Sequence, residues 1–309
     1  MDDAVARDPP LQCTTERTSQ MRRLFLAAAV LAAIVVPTQA LASSHHPTGE
    51  YAQFAECPLS QPTIAFCLFA ESNGGFFQIG NKNVPLKNPV VLQGGLEFNE
   101  AETEVAFVGA ENGESLVKAA QPVPGGLLGV EAPSWWPQYL RELFNEYINN
   151  GLTGVTATVE LAGPASAVTV NPSALLSETG VALGLPTKIK LSNAFLGNNC
   201  YIGSNASPVQ INFTTGKTSP PPPNEPIHGS AGTYTENEAG TIATISGGSL
   251  VNNSFAAPGA HGCGGLFSFL VDPFVNSLVG LPSPAGTNTA ILEGKFQLAY
   301  PPAVKASEG

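Results

Sequence analysis

Short segments in which apolar and polar residues alternate recur along most of the chain. In 155–161, valine, alanine and leucine occupy every second position, with threonine and glutamate between them. Similar segments lie at 168–170, 188–191, 209–213, 232–236, 241–245 and 289–298. A period of two is typical of strands with one buried face. Short strands at regular spacing predict a mainly β fold, an antiparallel β-sandwich or barrel.

One segment has the period of a helix instead. Between Pro137 and Asn149 the apolar residues recur at i, i+1, i+4, i+5, i+8 and i+9, which places them on one face. These residues are Tyr139, Leu140, Leu143, Phe144, Tyr147 and Ile148. Pro137 suits the first turn of a helix, and Gly151 is expected to end it. We expect this amphipathic helix to pack against a sheet or to close the end of a barrel, burying its apolar face.

Glycine pairs and prolines are expected to interrupt the other elements. Asn73-Gly74-Gly75 predicts a turn, and Gly94-Gly95 is expected to end a strand. Residues 266–279 are mostly apolar and predict one or two short C-terminal helical segments. Asp272-Pro273 is expected to interrupt them, because the residue before a proline avoids the helical conformation.

The N-terminal region has the three parts of a secretory signal peptide. They are a cationic start at Arg22 and Arg23, an apolar run at 24–36, and the small-x-small sequence Ala40-Leu41-Ala42. The apolar run is too short to cross a bilayer comfortably. No second long apolar segment follows, so we expect no membrane span in the mature chain. The sequence therefore predicts a secreted, extracellular protein whose mature form starts at Ser43.

The remaining chain is expected to form one domain. Residues 1–20 are polar and lack apolar periodicity, so they either precede the true start at Met21 or form a disordered extension. The proline run Pro220–Pro223 predicts a stiff, extended segment. We interpret 219–226 as a surface crossover within a single β domain that covers 43–309.

The charge of the chain limits its partners. The net charge is −11, and residues 1–42 contribute nothing to it because their four acids balance four bases. Arg141 is the sole arginine after residue 42. A nucleic-acid binder needs clustered lysine and arginine to displace counterions from phosphate, so this acidic chain is not expected to bind nucleic acid. The same charge disfavours anionic lipid surfaces.

The cysteine count fits an oxidising compartment. Of five cysteines, Cys13 precedes the signal peptide, which leaves the even number expected of an exported protein. Three pairings of these four are possible. We favour a Cys57–Cys67 and a Cys200–Cys263 bridge, because the first two are close in sequence and the last two lie in similar loops rich in glycine and asparagine.

Candidate catalytic groups are sparse. A serine hydrolase needs a histidine near a serine and a carboxylate, and only His228 and His261 lie in sequence expected to fold. Ser230 follows His228 closely but lacks the spacing of a nucleophile elbow. Cys263 with His261 could form a thiol site, although a disulfide to Cys200 explains that cysteine better.

Two further groups could bind ligands. Trp135 and Trp136, the only tryptophans, could stack on a flat ligand or anchor the helix that follows. A mature chain that starts at Ser43 would place His45 third. A free amine, two backbone amides and this imidazole suit square-planar Cu²⁺ or Ni²⁺. We expect no functional cofactor.

Three stretches carry a resemblance to known sequences. They are 196–203 (LGNNCYIG), 252–265 with its Phe255-Ala-Ala-Pro-Gly and Gly262-Cys-Gly-Gly elements, and 289–294 (TAILEG). Together they resemble a group of uncharacterised secreted proteins from high-GC Gram-positive bacteria, over most of the mature chain. The resemblance implies an exported bacterial protein with paired cysteines, and it implies no activity.

These features favour a secreted structural or ligand-binding β protein of the cell exterior, with no assignable catalytic mechanism. One alternative is a secreted hydrolase that uses His228 or His261 with a nearby serine and glutamate. The other is a carrier of a small apolar ligand, which needs an open apolar cavity beneath the helix.

The signal peptide generates the first prediction. N-terminal sequencing of protein recovered from culture medium should begin at Ser43, because cleavage follows the small-x-small site. A mature protein that begins at Met21 or earlier would contradict this assignment.

Overall fold

Two antiparallel sheets stack on each other around a shared hydrophobic core. The computed structural model describes residues 45–98 and 105–309. The predicted mainly β, antiparallel, sandwich-like class is confirmed. In chain order the strands are β1 (Ile64–Ile79), β2 (Lys82–Pro85), β3 (Val90–Phe98), β4 (Val105–Gly109), β5 (Ala120–Pro122), β6 (Thr156–Leu161), β7 (Thr169–Val170), β8 (Leu183–Ser192), β9 (Tyr201–Ile202), β10 (Val209–Phe213), β11 (Thr233–Glu236), β12 (Ile242–Asn252), β13 (Ala260–His261) and β14 (Thr289–Ala299).

The described residues also form short helices, most of them between strands. The α-helices are α1 (Gln138–Asn149), α2 (Pro172–Ser177), α3 (Ser268–Val279) and α4 (Pro301–Ala306). Single 3-10 turns lie at Gly49–Phe54, Gly126–Leu128, Ala165–Ala167 and Gly265–Phe267. No helix in the described ranges is both long and apolar enough to cross a membrane.

The order of the strands shows how the two sheets are built. The first sheet has the order β11-β12-β14-β1-β3-β4, with β2 paired to β1. The second has the order β13-β9-β8-β6-β5, with β7 and β10 also paired to β8. The long strands β1 and β14 therefore form the centre of one sheet, and β8 forms the centre of the other.

The alternating pattern places one face of each sheet in the core. In β10, Val209, Ile211 and Phe213 are buried, whereas Gln210 and Asn212 between them are exposed. The inward residues of both sheets meet in a single apolar cluster that includes Leu68, Leu92 and Leu292 of the first sheet and Leu185, Ile189 and Ile211 of the second. Burial of this shared layer is the main stabilising term.

The glycines of β1 form a bulge rather than a turn. β1 continues through Asn73-Gly74-Gly75, with a register shift between Ser72 and Gly74. Gly75 has φ +100°, and a Cβ there would overlap the carbonyl oxygen of Ile291 on β14. The expected turn is wrong because the glycines allow close approach of a neighbouring strand, which bends the sheet without ending it.

The second glycine pair also lies inside a strand. β3 extends from Val90 to Phe98, through Gly94 and Gly95, so the expected strand end is wrong. A Cβ on Gly94 would overlap the carbonyl oxygen of Val108 on β4 and touch the ring of Phe107. The pair is therefore needed for close packing between adjacent strands.

The proline run lies in a loop that folds back onto the sandwich. Lys217 and His228, on either side of the run, form an antiparallel bridge. At the tip, the side-chain amide of Asn224 donates to the carbonyl oxygens of Asn253 (2.9 Å) and Asn288 (3.0 Å). These bonds tie the loop to the ends of β12 and β14.

The two disulfides have the favoured pairing. Cys57–Cys67 joins the N-terminal lead to β1, and Cys200–Cys263 joins the residue before β9 to the loop after β13. The sequence separations are 10 and 63 residues. A bridge that closes a longer loop removes more conformations from the unfolded chain.

We therefore expect unequal effects of removing each bridge. The chain-entropy relation gives a loss of about 4 kcal/mol for Cys200→Ala with Cys263→Ala and about 3 kcal/mol for Cys57→Ala with Cys67→Ala. Denaturant unfolding of both double variants measures the difference in the free energy of unfolding. A larger loss in the Cys57–Cys67 variant would contradict the loop-length argument.

Candidate apolar docking surface

Helix α1 forms where it was predicted, but its apolar face is not buried. Leu143 is 61% exposed and Tyr147 is 79% exposed. Ile148 alone on this helix is fully buried, at 7% exposure, and Phe144 is half-buried. The expected burial of the stripe is therefore wrong, since α1 turns most of its apolar side chains to the surface.

Asparagine contacts explain this orientation of α1. The side-chain oxygen of Asn149 accepts the Gly125 N–H at 3.0 Å, and that of Asn145 accepts the Ala132 N–H at 3.2 Å. Both asparagines lie on the same face as Ile148, because residues three and four apart are neighbours on a helix. Their hydrogen bonds to the loop that precedes α1 keep the face that carries Asn145, Ile148 and Asn149 turned toward the protein.

The two tryptophans occupy different environments. Trp136 is half-buried and packs edge to face against Phe144 with ring centroids 5.5 Å apart. Trp135 packs on Trp136 at 6.1 Å but is 80% exposed. Trp136 therefore anchors the start of α1, whereas Trp135 projects into solvent. Ligand binding by this pair stays a prediction.

Helix α3 runs without a break through Asp272-Pro273, so the expected interruption is wrong. The Asp272 carboxylate accepts the backbone N–H groups of Gly262 (3.2 Å) and Cys263 (2.7 Å). One turn later, the Asn276 side chain accepts the Ala260 N–H at 2.6 Å and donates to the Ala260 carbonyl at 3.1 Å. These bonds hold the turns on both sides of the proline against the loop.

The outward face of α3 and its preceding turn is almost wholly apolar. Leu266 is 94% exposed, Phe269 70% and Leu270 61%. Phe267 and Phe274 are also more than half exposed. An ordinary surface helix buries its apolar stripe and shows its polar face to water. Helix α3 is reversed, because its polar residues Asp272 and Asn276 face the protein.

Three chain segments meet at this end of the sandwich. The Asn193 side chain donates to the Leu152 carbonyl at 2.9 Å, which joins the loop after β8 to the segment after α1. The Gly264 N–H donates to the Leu196 carbonyl at 2.7 Å, which joins the same loop to α3. We call segments 126–152, 193–197 and 264–279 the apolar end.

The apolar end holds most of the exposed large apolar side chains among the described residues. Fourteen of the eighteen belong to it: Leu128, Val130, Trp135, Tyr139, Leu140, Leu143, Tyr147, Leu152, Phe195, Leu266, Phe267, Phe269, Leu270 and Phe274. Seven are aromatic and more than half exposed. At roughly 150–250 Å² each, these rings together expose on the order of 800 Å². Exposed apolar side chains that are gathered in one region of a protein, rather than scattered singly, mark interaction surfaces.

The charges of the apolar end are mainly negative. Its segments contain four carboxylates, on Glu131, Glu142, Glu146 and Asp272, and one cation, Arg141. Lys82 lies beside it and donates to the Gly129 carbonyl at 3.3 Å. The exposed face of α3 itself carries no charge, because Asp272 is turned inward.

Among the described residues, neither histidine of the hydrolase alternative lies in contact with a serine or a carboxylate side chain. His228 lies in the proline loop, where its Nδ1 is 2.7 Å from the Gly229 carbonyl oxygen. His261 lies in β13, opposite Tyr201 at the edge of the second sheet. In the part of the chain that the structure describes, no hydrogen bond or ion pair joins either imidazole to a serine or a carboxylate.

Two tyrosines have perturbed titration. Burial, and then the nearby Glu160 carboxylate, raise the pKa of Tyr201. A hydrogen bond to Glu236 raises the pKa of the exposed Tyr234. A raised pKa keeps a phenol protonated at neutral pH, so neither residue is suited to act as a general base.

Two small apolar cavities lie inside the described part of the sandwich. One, of about 70 Å³, lies between the sheets among Leu92, Leu183, Leu250 and Phe296. A second, of about 60 Å³, lies under the end of α3 at Val279. Cavities that hold ligands of ordinary size measure about 300–1,000 Å³. Neither cavity is lined by α1, where the carrier alternative needed one.

An open polar groove lies on the outer face of the first sheet. Its volume is about 580 Å³, and it is bordered by Glu71, Glu293 and Lys295. Lys295 is already paired with Glu71 at 3.3 Å. In the described ranges, no three histidine, cysteine or carboxylate side chains are placed to hold a metal ion.

His45 joins the two ends of the described chain. Its Nδ1 lies 2.6 Å from a Glu308 carboxylate oxygen and its Nε2 lies 3.3 Å from one of Glu111. The nearby Thr48 N–H donates to the Ser307 carbonyl at 3.2 Å. Copper binding would have to displace at least one carboxylate from His45. Ser43 lies outside the described residues, so this site stays a prediction.

Sequence reasoning missed the role of 265–274. Asp272 and Asn276, at i and i+4, mark one polar face of an apolar helix. This pattern shows that the opposite face is apolar, but it does not show whether another element covers that face. The missing information is the tertiary position of the 260–263 loop, which captures both polar side chains.

No family model, no curated protein and no solved structure matches this chain.

The orientation of α1 gives a direct stability prediction. Leu143→Ala should change the free energy of unfolding by less than about 0.5 kcal/mol, because Leu143 is exposed. Ile148→Ala should lower it by about 2–5 kcal/mol, because it empties a buried site. Denaturant unfolding measures both. A core-sized loss for Leu143→Ala would contradict the exposed orientation.

Proposed function

We propose that this protein is a secreted, non-enzymatic binding protein of the cell exterior that docks through its apolar end. The signal-peptide pattern and the resemblance to secreted proteins of high-GC Gram-positive bacteria support the location. Two disulfides are compatible with it, since such bonds persist in oxidising compartments.

The observation that carries the proposal is the reversed orientation of α3. Leu266, Phe269 and Leu270 face solvent, while the helix uses its polar side chains to bond to the protein. Exposing such a surface opposes solubility and invites association, so an apolar patch of this size indicates a binding site.

The apolar end is large enough for a binding surface of standard size. Its seven exposed aromatic side chains present on the order of 800 Å². Specific protein interfaces bury about 800 Å² on each partner.

The catalytic alternative has less support. His228 lies in a loop and His261 in an edge strand, and neither contacts a serine or a carboxylate among the described residues. The carrier alternative is also less well supported, because the cavities are smaller than the roughly 150 Å³ that accommodates benzene in an engineered core.

Hydrophobic-interaction chromatography tests the proposed docking surface. The double variant Leu266→Ser with Phe269→Ser should elute from a phenyl column earlier than the wild type, because it loses two of the most exposed apolar side chains. The matched control is Leu176→Ser with Tyr234→Ser, two residues that are 48% and 50% exposed outside the apolar end. Its retention should change much less.

Circular dichroism and thermal unfolding of both variants show that each remains folded. If the Leu266/Phe269 variant and its control shift retention equally, the apolar end has no special role in adsorption. The proposed function would then be wrong.

A further inference from the structure

We propose that the occupant of the apolar end is a lipid surface with uncharged headgroups, into which the outward face of α3 inserts. This inference rests on the proposed docking function and adds the chemistry of the partner. Three observations support it: the scarcity of exposed polar groups on α3, the positions of the exposed aromatic residues, and the excess of negative charge at the apolar end.

The outward face of α3 offers few groups that could form hydrogen bonds with a partner. A protein–protein interface has about one hydrogen bond for every 100–200 Å². From Leu266 to Phe274 no exposed side chain can donate or accept a hydrogen bond, since Ser268 is half-buried. Ser277, three residues after Phe274, is the one exposed hydroxyl on this face of α3. The polar side chains on the inward face already bond to the 260–263 loop. Lipid hydrocarbon has no polar groups that need partners. A docked protein surface has such groups, and they would lose water without gaining hydrogen bonds from α3.

The exposed residues of α3 and α1 differ in type. The α3 face presents leucine and phenylalanine, which suit the acyl region. Trp135, Tyr139 and Tyr147, at and on α1, are 80%, 62% and 79% exposed and each carry one polar group. Tryptophan and tyrosine concentrate at the boundary between hydrocarbon and water. The apolar end therefore supplies both layers of an interfacial anchor.

The charges of the apolar end limit the kind of lipid headgroup it can approach. Interfacial helices that bind anionic lipids carry lysine and arginine on their polar face. The apolar end has Arg141 against four carboxylates, and the whole chain has a net charge of −11. Anionic headgroups would repel this protein, so the surface fits headgroups without net charge, such as a zwitterionic phospholipid or a neutral glycolipid.

The length of α3 limits the depth of insertion. Twelve residues give a helix of about 18 Å. The hydrocarbon core is about 30 Å thick, so α3 would lie in the interface with its apolar face about 5–10 Å deep. The sandwich, whose outer faces carry Gln210 and Asn212, would remain in water.

A second copy of the chain is the competing occupant. Self-association through the apolar end would bring two acidic surfaces together, with Glu142 and Glu146 exposed on each. This repulsion opposes encounter at low ionic strength. Measuring the oligomeric state distinguishes this occupant from a lipid surface.

Vesicle flotation of the full secreted protein tests the inference. The wild type should float with phosphatidylcholine vesicles and bind more weakly when phosphatidylglycerol is added at low salt. Leu266→Ser with Phe269→Ser should lower the partition coefficient by at least about tenfold. The control Leu176→Ser with Tyr234→Ser should leave it unchanged. Fluorescence of Trp135 and Trp136, the only tryptophans, should shift to the blue on binding.

The outcomes separate the two proposals. Failure of the wild type to float, or stronger binding to phosphatidylglycerol vesicles, overturns the uncharged-lipid inference. A dimer in sedimentation velocity that Leu266→Ser with Phe269→Ser abolishes, without flotation, assigns the apolar end to a second copy and leaves the docking function intact. Unchanged retention on the phenyl column would instead overturn the docking function itself.

Discussion

The Asp272 carboxylate decides which face of α3 meets the solvent. It accepts two backbone N–H groups in the loop that Cys263 anchors to Cys200. Rotating the helix to bury its phenylalanines would remove these bonds and leave two amides and a charge without partners. Each lost bond of this kind costs about 1–3 kcal/mol, more for a charged group. The apolar surface is thus maintained by polar bonds beneath it.

A disulfide anchors the loop to which α3 is bonded. The Cys200–Cys263 bridge lies next to the Asp272 contacts and links β9 to the loop that holds α3. A protein that exposes so much aromatic surface risks aggregation if its supporting elements open locally. The disulfide and the central strands limit local unfolding of the elements that support α3. The apolar surface can therefore stay exposed while the sandwich stays folded.

The sequence predicted the strands of the two sheets more accurately than it predicted which apolar side chains are exposed. Alternation in β6 and β10 indicates strands because side chains of a strand point to opposite faces in turn, and the cysteine count limits the pairings to three. Gly75 and Gly94 were misassigned, because a glycine required by a neighbouring strand resembles one required by a turn. The position of α1 was correct, yet the fates of Leu143 and Ile148 were not distinguished. Periodicity shows which face of a helix is apolar, but it does not show whether another element packs on that face. The packing depends on tertiary contacts, such as the hydrogen bonds of the α1 asparagines.

The contact of His45 with Glu308 joins the two ends of the described chain near the start of β1. Just after the other end of β1, the Asn81 N–H donates at 2.7 Å to the carbonyl oxygen of Val279, the last residue of α3. Sixteen fully extended residues span roughly 50 Å, and the bulge at Gly74 shortens this distance. The described chain ends and α3 are thus attached at opposite ends of one strand, so a substitution that opens the contact of His45 with Glu308 leaves the support of α3 in place.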